Sequence, residues 1–132
     1  MSQEEQKITA VLKAYESALN AADTEEVMAL YAPDGVFMPQ HFASSVGQEA
    51  VRKAYDAVFG AIRLTVRFEI REVHQTSNEW AFARTNSAGT VVVQVNGESS
   101  AEANQELFVM QKIGSDWKIA RYCFSTINPP RS

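Results

Sequence analysis

Ala103 to Phe124 reads A-N-Q-E-L-F-V-M-Q-K-I-G-S-D-W-K-I-A-R-Y-C-F. It divides into two apolar runs, 104–112 and 117–125, joined at Gly114-Ser115-Asp116. This is the pattern of a β-hairpin whose strands are covered on both faces. One carboxylate, Glu106, interrupts the first run. It must lie at a wet strand end or face a polar cavity, because an unpaired buried charge is costly.

Working back from the hairpin, the apolar period is near 2 as far as Leu64. Leu64 to His74 reads as a long strand, and Gln75 to Asn78 as a turn. Glu79 to Val95 reads as a second strand or bent pair. Asn96-Gly97 is a turn signal, and the polar Glu98 to Glu102 suggests a longer mobile excursion. Before Leu64 the period is near 3.6. Val51, Ala54, Tyr55, Val58, Phe59 and Ile62 form one stripe, which predicts a helix. Ser2 with Glu5 is a capping-box signature for a first helix carrying Ile8, Val11, Leu12, Tyr15, Ala18 and Leu19. Asp23 with Glu26 starts a short second helix through Tyr31. Ala32-Pro33-Asp34-Gly35 has turn chemistry, and Val36-Phe37-Met38 is a short strand stopped by Pro39. Three helices followed by long antiparallel strands predict an α+β domain spanning 1–132, with a tail over 128–132.

A length of 132 residues suits one domain. The net charge of −4 and the scattered Lys and Arg argue against a nucleic-acid partner. No apolar run approaches the roughly 20 residues of a membrane span, and the polar N-terminus shows no signal peptide. With Cys123 as the only cysteine, a reducing cytoplasm is the expected setting. His41 and His74 lie on separate segments without carboxylates at ligand spacing, so no metal is expected. No glycine-rich phosphate loop occurs, and no cofactor is expected.

The opening, I-T-A-V-L-K-A-Y-E-S-A-L-N-A-A-D-T-E-E-V-M-A-L-Y-A-P-D-G-V-F-M-P, resembles the N-terminal half of an NTF2-like domain. The ending, F-V-M-Q-K-I-G-S-D-W-K-I-A-R-Y-C-F-S, is similar to its SnoaL-like and SgcJ/EcaC-like branch. The resemblance spans residue 6 to about 126. It implies three N-terminal helices on a strongly curved mixed or antiparallel sheet, a cone with a ligand pocket. Compared with ketosteroid isomerase, Tyr15 matches the oxyanion-donating tyrosine and Tyr55 a tyrosine bonded to it. Glu106 falls at the neutral, hydrogen-bond-donating acid. Where that enzyme has its general-base aspartate, this chain has Met38 before Pro39, and a thioether cannot accept a proton near pH 7. Isomerase activity by that mechanism is therefore not expected.

On this alignment Arg84 and Asn86 lie at pocket positions. Strand alternation then places Phe82, Arg84, Asn86, Glu106, Phe108, Met110, Ala120, Tyr122 and Phe124 on the concave face. Arg84 and Glu106 would form an ion pair in the cavity, structural or shared with a ligand. The expected pocket is Tyr15, Met38, Tyr55, Arg84, Asn86, Glu106, Phe108, Tyr122 and Phe124, taking a partly apolar small molecule with a polar or anionic group. Leu107, Val109, Trp117 and Ile119 would form an apolar convex face, covered by a second copy in a homodimer. Three functions stay open: a cofactor-independent enzyme of the SnoaL/isomerase kind, a non-catalytic binding module, and an assembly domain resembling the kinase association domain.

Overall fold

Ser2 opens the first helix with the expected capping box. Its hydroxyl accepts from the Glu5 amide at 3.1 Å, and the Glu5 carboxylate accepts from the Ser2 amide at 3.0 Å. The computed structural model describes residues 1–131; Ser132, the last position of the expected tail, lies outside them. Helix α1 (Gln3–Ala21) buries Ile8, Leu12, Tyr15, Ala18 and Leu19, the stripe that its periodicity selects. Helix α2 (Thr24–Leu30) is capped by the Asp23 side chain, and α3 (Gln48–Ala61) buries Val51, Tyr55 and Phe59.

The strands are β1 (Tyr31–Met38), β2 (Ser45–Val46), β3 (Ile62–Gln75), β4 (Trp80–Val93), β5 (Ser99–Ile113) and β6 (Asp116–Thr126). They form one sheet in the order β2-β1-β6-β5-β4-β3, antiparallel throughout except for the parallel β1–β6 pair. The α+β class and the mixed sheet are as expected. Two bounds differ. Tyr31 opens β1 rather than closing α2, and the turn residues 32–35 fall within a register shift of the β1–β6 pairing. The expected excursion after Asn96-Gly97 is strand from Ser99, because Val92, Val91 and Thr90 pair with Ser99, Ser100 and Ala101.

Curvature has identifiable sources. Register shifts between Ile70 and Glu72 and between Val109 and Met110 mark bulges, which bend and twist a strand. At Gly89 the backbones of β3 and β4 approach so closely that a Cβ would lie 1.9 Å from the Thr65 carbonyl oxygen. Only glycine fits there, the position of a close backbone approach.

Strand β3 is an edge of the sheet, and α1 covers part of it. Asn20 accepts from the Val66 amide at 2.8 Å and donates to the Val66 carbonyl at 2.9 Å, while Glu16 accepts from the Phe68 amide at 2.6 Å. Backbone groups left free at an edge are thereby satisfied. The helix is also fixed across the concave face, where it closes one side of the site.

The bulge in β6 corrects the expected convex face. Val109 pairs with Arg121, but Met110 pairs with Ile119, so Ala120 is an extra residue. One inserted residue reverses the side-chain parity of what precedes it. Trp117 and Ile119 therefore lie in the core, 3% and 0% exposed, and the Trp117 indole donates to Glu4 at 3.2 Å. Leu107, by contrast, is 41% exposed on the outer side.

Candidate functional site

The helices and the curved sheet enclose a cavity of about 610 Å³. Its walls are mainly apolar. Ala54 and Val58 come from α3, Leu64, Val66 and Phe68 from β3, and Pro39 and Phe42 from the loop after β1. The polar groups gather on β4 and β5, where Ser87, Glu102, Asn104 and Glu106 reach the lining. An apolar cavity with a few convergent polar groups is the usual form of a small-molecule site.

Glu106 is 5% exposed. Its strand partner on β4 is Thr85, which points to the same side. Thr85 Oγ1 donates to Glu106 Oε1 at 2.6 Å, and Ser87 Oγ donates to Oε2 at 2.5 Å. Among the described residues, no Lys or Arg lines the cavity. Burial therefore pushes the Glu106 carboxyl up from 4.5 to about 7, against the pull of the two hydroxyl donors. The Glu102 carboxylate adds to the rise.

All four tyrosines of the chain are buried together. Tyr55 Oη lies 2.6 Å from Tyr15 Oη and 2.7 Å from Tyr31 Oη, making a chain of three phenols. Tyr122 packs edge-on to Tyr15 and stacks on Phe108. Burial raises the pKa of Tyr15, Tyr31, Tyr55 and Tyr122 above the usual phenol value. Neutral phenols remain hydrogen-bond donors, and Tyr15, Tyr55 and Tyr122 line the cavity.

Of the residues expected at the pocket, Tyr15, Tyr55, Glu106, Tyr122 and Phe124 line it. Phe108 is fully buried beneath it, in contact with Tyr15 and Tyr122. Three do not reach it. Met38 is 43% exposed, because on alternating β1 it is Phe37 that turns inward. Arg84 and Asn86 sit on the outer side of β4, where the inner positions are the small residues Ala81, Ala83, Thr85 and Ser87.

The pairing register gives the reason for this parity. Ala83 pairs with the buried Phe108 and Thr85 with the buried Glu106, whereas Arg84 pairs with the exposed Leu107. An Arg84 guanidinium on the inner side would also need desolvation. Outside, it bonds Glu72 at 2.6 Å, an exposed pair worth about 0–1 kcal/mol. The expected Arg84–Glu106 pair is thus replaced by Arg84–Glu72 and by Glu106 with Thr85 and Ser87.

Thr85, Ser87, Glu102, Asn104 and Tyr31 were not anticipated at the site. A signal for the β5 residues exists, since Glu102, Asn104 and Glu106 alternate at a spacing of two, the period that puts polar groups on one face.

The model of the SnoaL-like domain matches residues 11–122. The chain belongs to the SnoaL-like family. A ketosteroid isomerase-like protein from Erwinia carotovora atroseptica SCRI1043 is 38% identical, with a TM-score of 0.94 over 98% of this chain and 100% of that one. An NTF2-like superfamily protein from Salmonella enterica serovar Typhimurium LT2 is 20% identical, with a TM-score of 0.81 over 92% of this chain and 89% of that one. A scytalone dehydratase-like protein from Novosphingobium aromaticivorans DSM 12444 is 18% identical, with a TM-score of 0.83 over 93% and 83%. The last two likenesses establish the fold, the NTF2-like cone. No curated protein matches the chain. This SnoaL-like domain therefore has its architecture in common with isomerase-like and dehydratase-like proteins, and its chemistry must be argued from its own side chains.

Proposed function

We propose that this SnoaL-like domain is a cofactor-independent acid–base enzyme acting on a small, mostly apolar molecule. The observation that supports it is Glu106: a buried carboxyl in an apolar cavity, held by two hydroxyls, with its pKa raised to about 7. A group half-protonated at neutral pH serves equally as base and as acid, and such groups concentrate at functional sites. Glu106 exchanges a proton with the substrate. A neutral phenol of the tyrosine chain donates to an oxygen that gains charge, the role of an oxyanion donor. Met38 faces outward, so the base position of ketosteroid isomerase is not reproduced and Δ5-to-Δ4 steroid isomerisation by that route is not expected.

The reaction class is tested by proton exchange. Cyclic ketones of two and three fused rings, incubated with the protein in deuterated water, should take up deuterium beside the carbonyl faster than without protein. The Glu106→Gln variant should not accelerate the exchange. Equal acceleration by both proteins would remove Glu106 from the mechanism, and none by either would remove carbon-acid chemistry.

The outer sheet face supports a second element of the reading, a homodimer. Phe82 pairs with Val109 on this face, and Leu107 stands exposed beside them. Apolar side chains grouped on a sheet face suit a two-fold contact. Leu107→Lys should shift the protein towards monomer in sedimentation; an unchanged dimer would place the interface elsewhere. Among the described residues no helix is long and apolar enough to cross a membrane, and a reducing cytoplasm is the setting that we propose.

A further inference from the structure

The polar end of the cavity has acceptor capacity that the chain itself does not use. Glu102 lies on β5 four residues before Glu106 and lines the same cavity. Its Oε1 accepts from Asn104 Nδ2 at 2.8 Å. Its Oε2 is closed off from solvent and has no hydrogen-bond partner. Leaving a buried acceptor unsatisfied is costly, more so for a charged group, and each such case in a native fold calls for an explanation.

The surroundings narrow that explanation. Asn104, 7% exposed, holds the Glu102 carboxylate from one side. No cation lines the cavity among the described residues. Beside Glu102, a smaller concavity of about 330 Å³ shares Gln40, Glu102, Asn104 and Phe124 with the cavity and adds His41, Ser100 and Asn128. The half-buried Glu102 side chain has rotatable bonds enough to turn its free oxygen towards a ligand in the space that it lines.

We propose that Glu102, steadied by Asn104, is a specificity subsite for a hydrogen-bond-donating end group of the ligand, a protonated amine before a hydroxyl, and that the cavity disfavours carboxylates. This rests on the reading of the cavity as a substrate site, with Glu106 at the reacting end. The two carboxylates are four positions apart along one face of the strand, a Cα separation of roughly 13 Å. The ligand is then an elongated molecule with its donor group about that far from the reacting atom. An anionic end at this subsite would meet the Glu102 carboxylate, and no Lys or Arg lines the cavity to offset it. A charge-assisted bond to an ammonium group is the stronger alternative to a neutral one.

Three probes with one apolar skeleton separate these cases: 2-naphthylmethylamine, 2-naphthalenemethanol and 2-naphthoate, titrated calorimetrically at pH 7. The wild-type protein should bind the amine at least about tenfold more tightly than the carboxylate, with the alcohol between them. In Glu102→Gln, with its melting transition checked against wild type, the amine should lose its advantage over the alcohol. In Glu106→Gln it should keep it. Equal affinity of the wild type for amine and carboxylate would overturn the proposal, even if the Gln variant failed to fold. So would an advantage that survives in Glu102→Gln, one that disappears instead in Glu106→Gln, or no binding of any probe. Each of these leaves the role of Glu106 to the deuterium exchange, so the two readings fail separately.

Discussion

Glu106→Gln should abolish a loss of stability that the wild-type protein shows as the pH rises from about 4.5 to beyond 7. The folded carboxyl holds its proton to about pH 7, whereas the unfolded chain releases it near 4.5. Between these values the native state carries more protons, so unfolding becomes easier as the pH rises. The protonated group's contribution is complete below about 4.5, declines through the interval, and is gone above the folded pKa. A shift of this size corresponds to at most about 3 kcal/mol. Glu4 and Glu5 act in the opposite sense, because their pKa values are lowered, and only below 4.5. The difference between variant and wild type, followed by urea unfolding from pH 4 to pH 9, isolates Glu106. The variant should gain on the wild type across the interval; parallel curves would mean that the carboxyl is not desolvated.

Tyr55→Phe should be the most damaging of the conservative tyrosine changes. Tyr55 is the middle phenol, bonded to Tyr15 at 2.6 Å and to Tyr31 at 2.7 Å. Phenylalanine keeps the ring, which stacks on Phe37 at 4.5 Å, but removes the hydroxyl that both neighbours use. Tyr15 and Tyr31, 1% and 5% exposed, are then left with unsatisfied buried hydroxyls. Each such group costs about 1–3 kcal/mol, so about 2–6 kcal/mol in all is expected. Tyr31→Phe removes only one end of the chain and should cost about 1 kcal/mol. Equal costs for the two variants in urea unfolding would show that the three hydroxyls do not act as a chain.

The architecture was legible where one periodicity ran unbroken. Helices α1 and α3 followed from their stripes, the first with its Ser2–Glu5 cap, and the hairpin around Gly114 followed from two apolar runs. The resemblance supplied the cone. What the sequence hid was parity. On β6 a single residue, Ala120, reverses the faces, so Trp117 and Ile119 lie inside although strict alternation puts them outside. On β4 there is no such interruption between 81 and 87; there the small residues, not the larger ones, face inward. Phe82, Arg84 and Asn86 face outward because they pair with Val109, Leu107 and Gln105, which alternate with the inward Phe108 and Glu106. Glu106 itself was marked by its isolation in an apolar run. Its partners Thr85 and Ser87 were not, because small hydroxyl residues on a strand look alike whether they face a carboxyl or water. Met38 stands where the resemblance puts a base in the pocket, and it is exposed at the end of β1, so no side chain at this position supplies a base to the cavity.

The central claim is that Glu106 titrates near neutrality inside the cavity, and a carboxyl-carbon NMR titration tests it most directly. Glutamates labelled with 13C at Cδ would be followed from pH 3 to pH 9, with the Glu106 signal assigned by its absence in Glu106→Gln. The account predicts a midpoint near 7 for this signal, above the 4.5 of an ordinary glutamate. A Glu106 midpoint at or below 4.5 would mean a solvated or ion-paired carboxylate and would contradict the account.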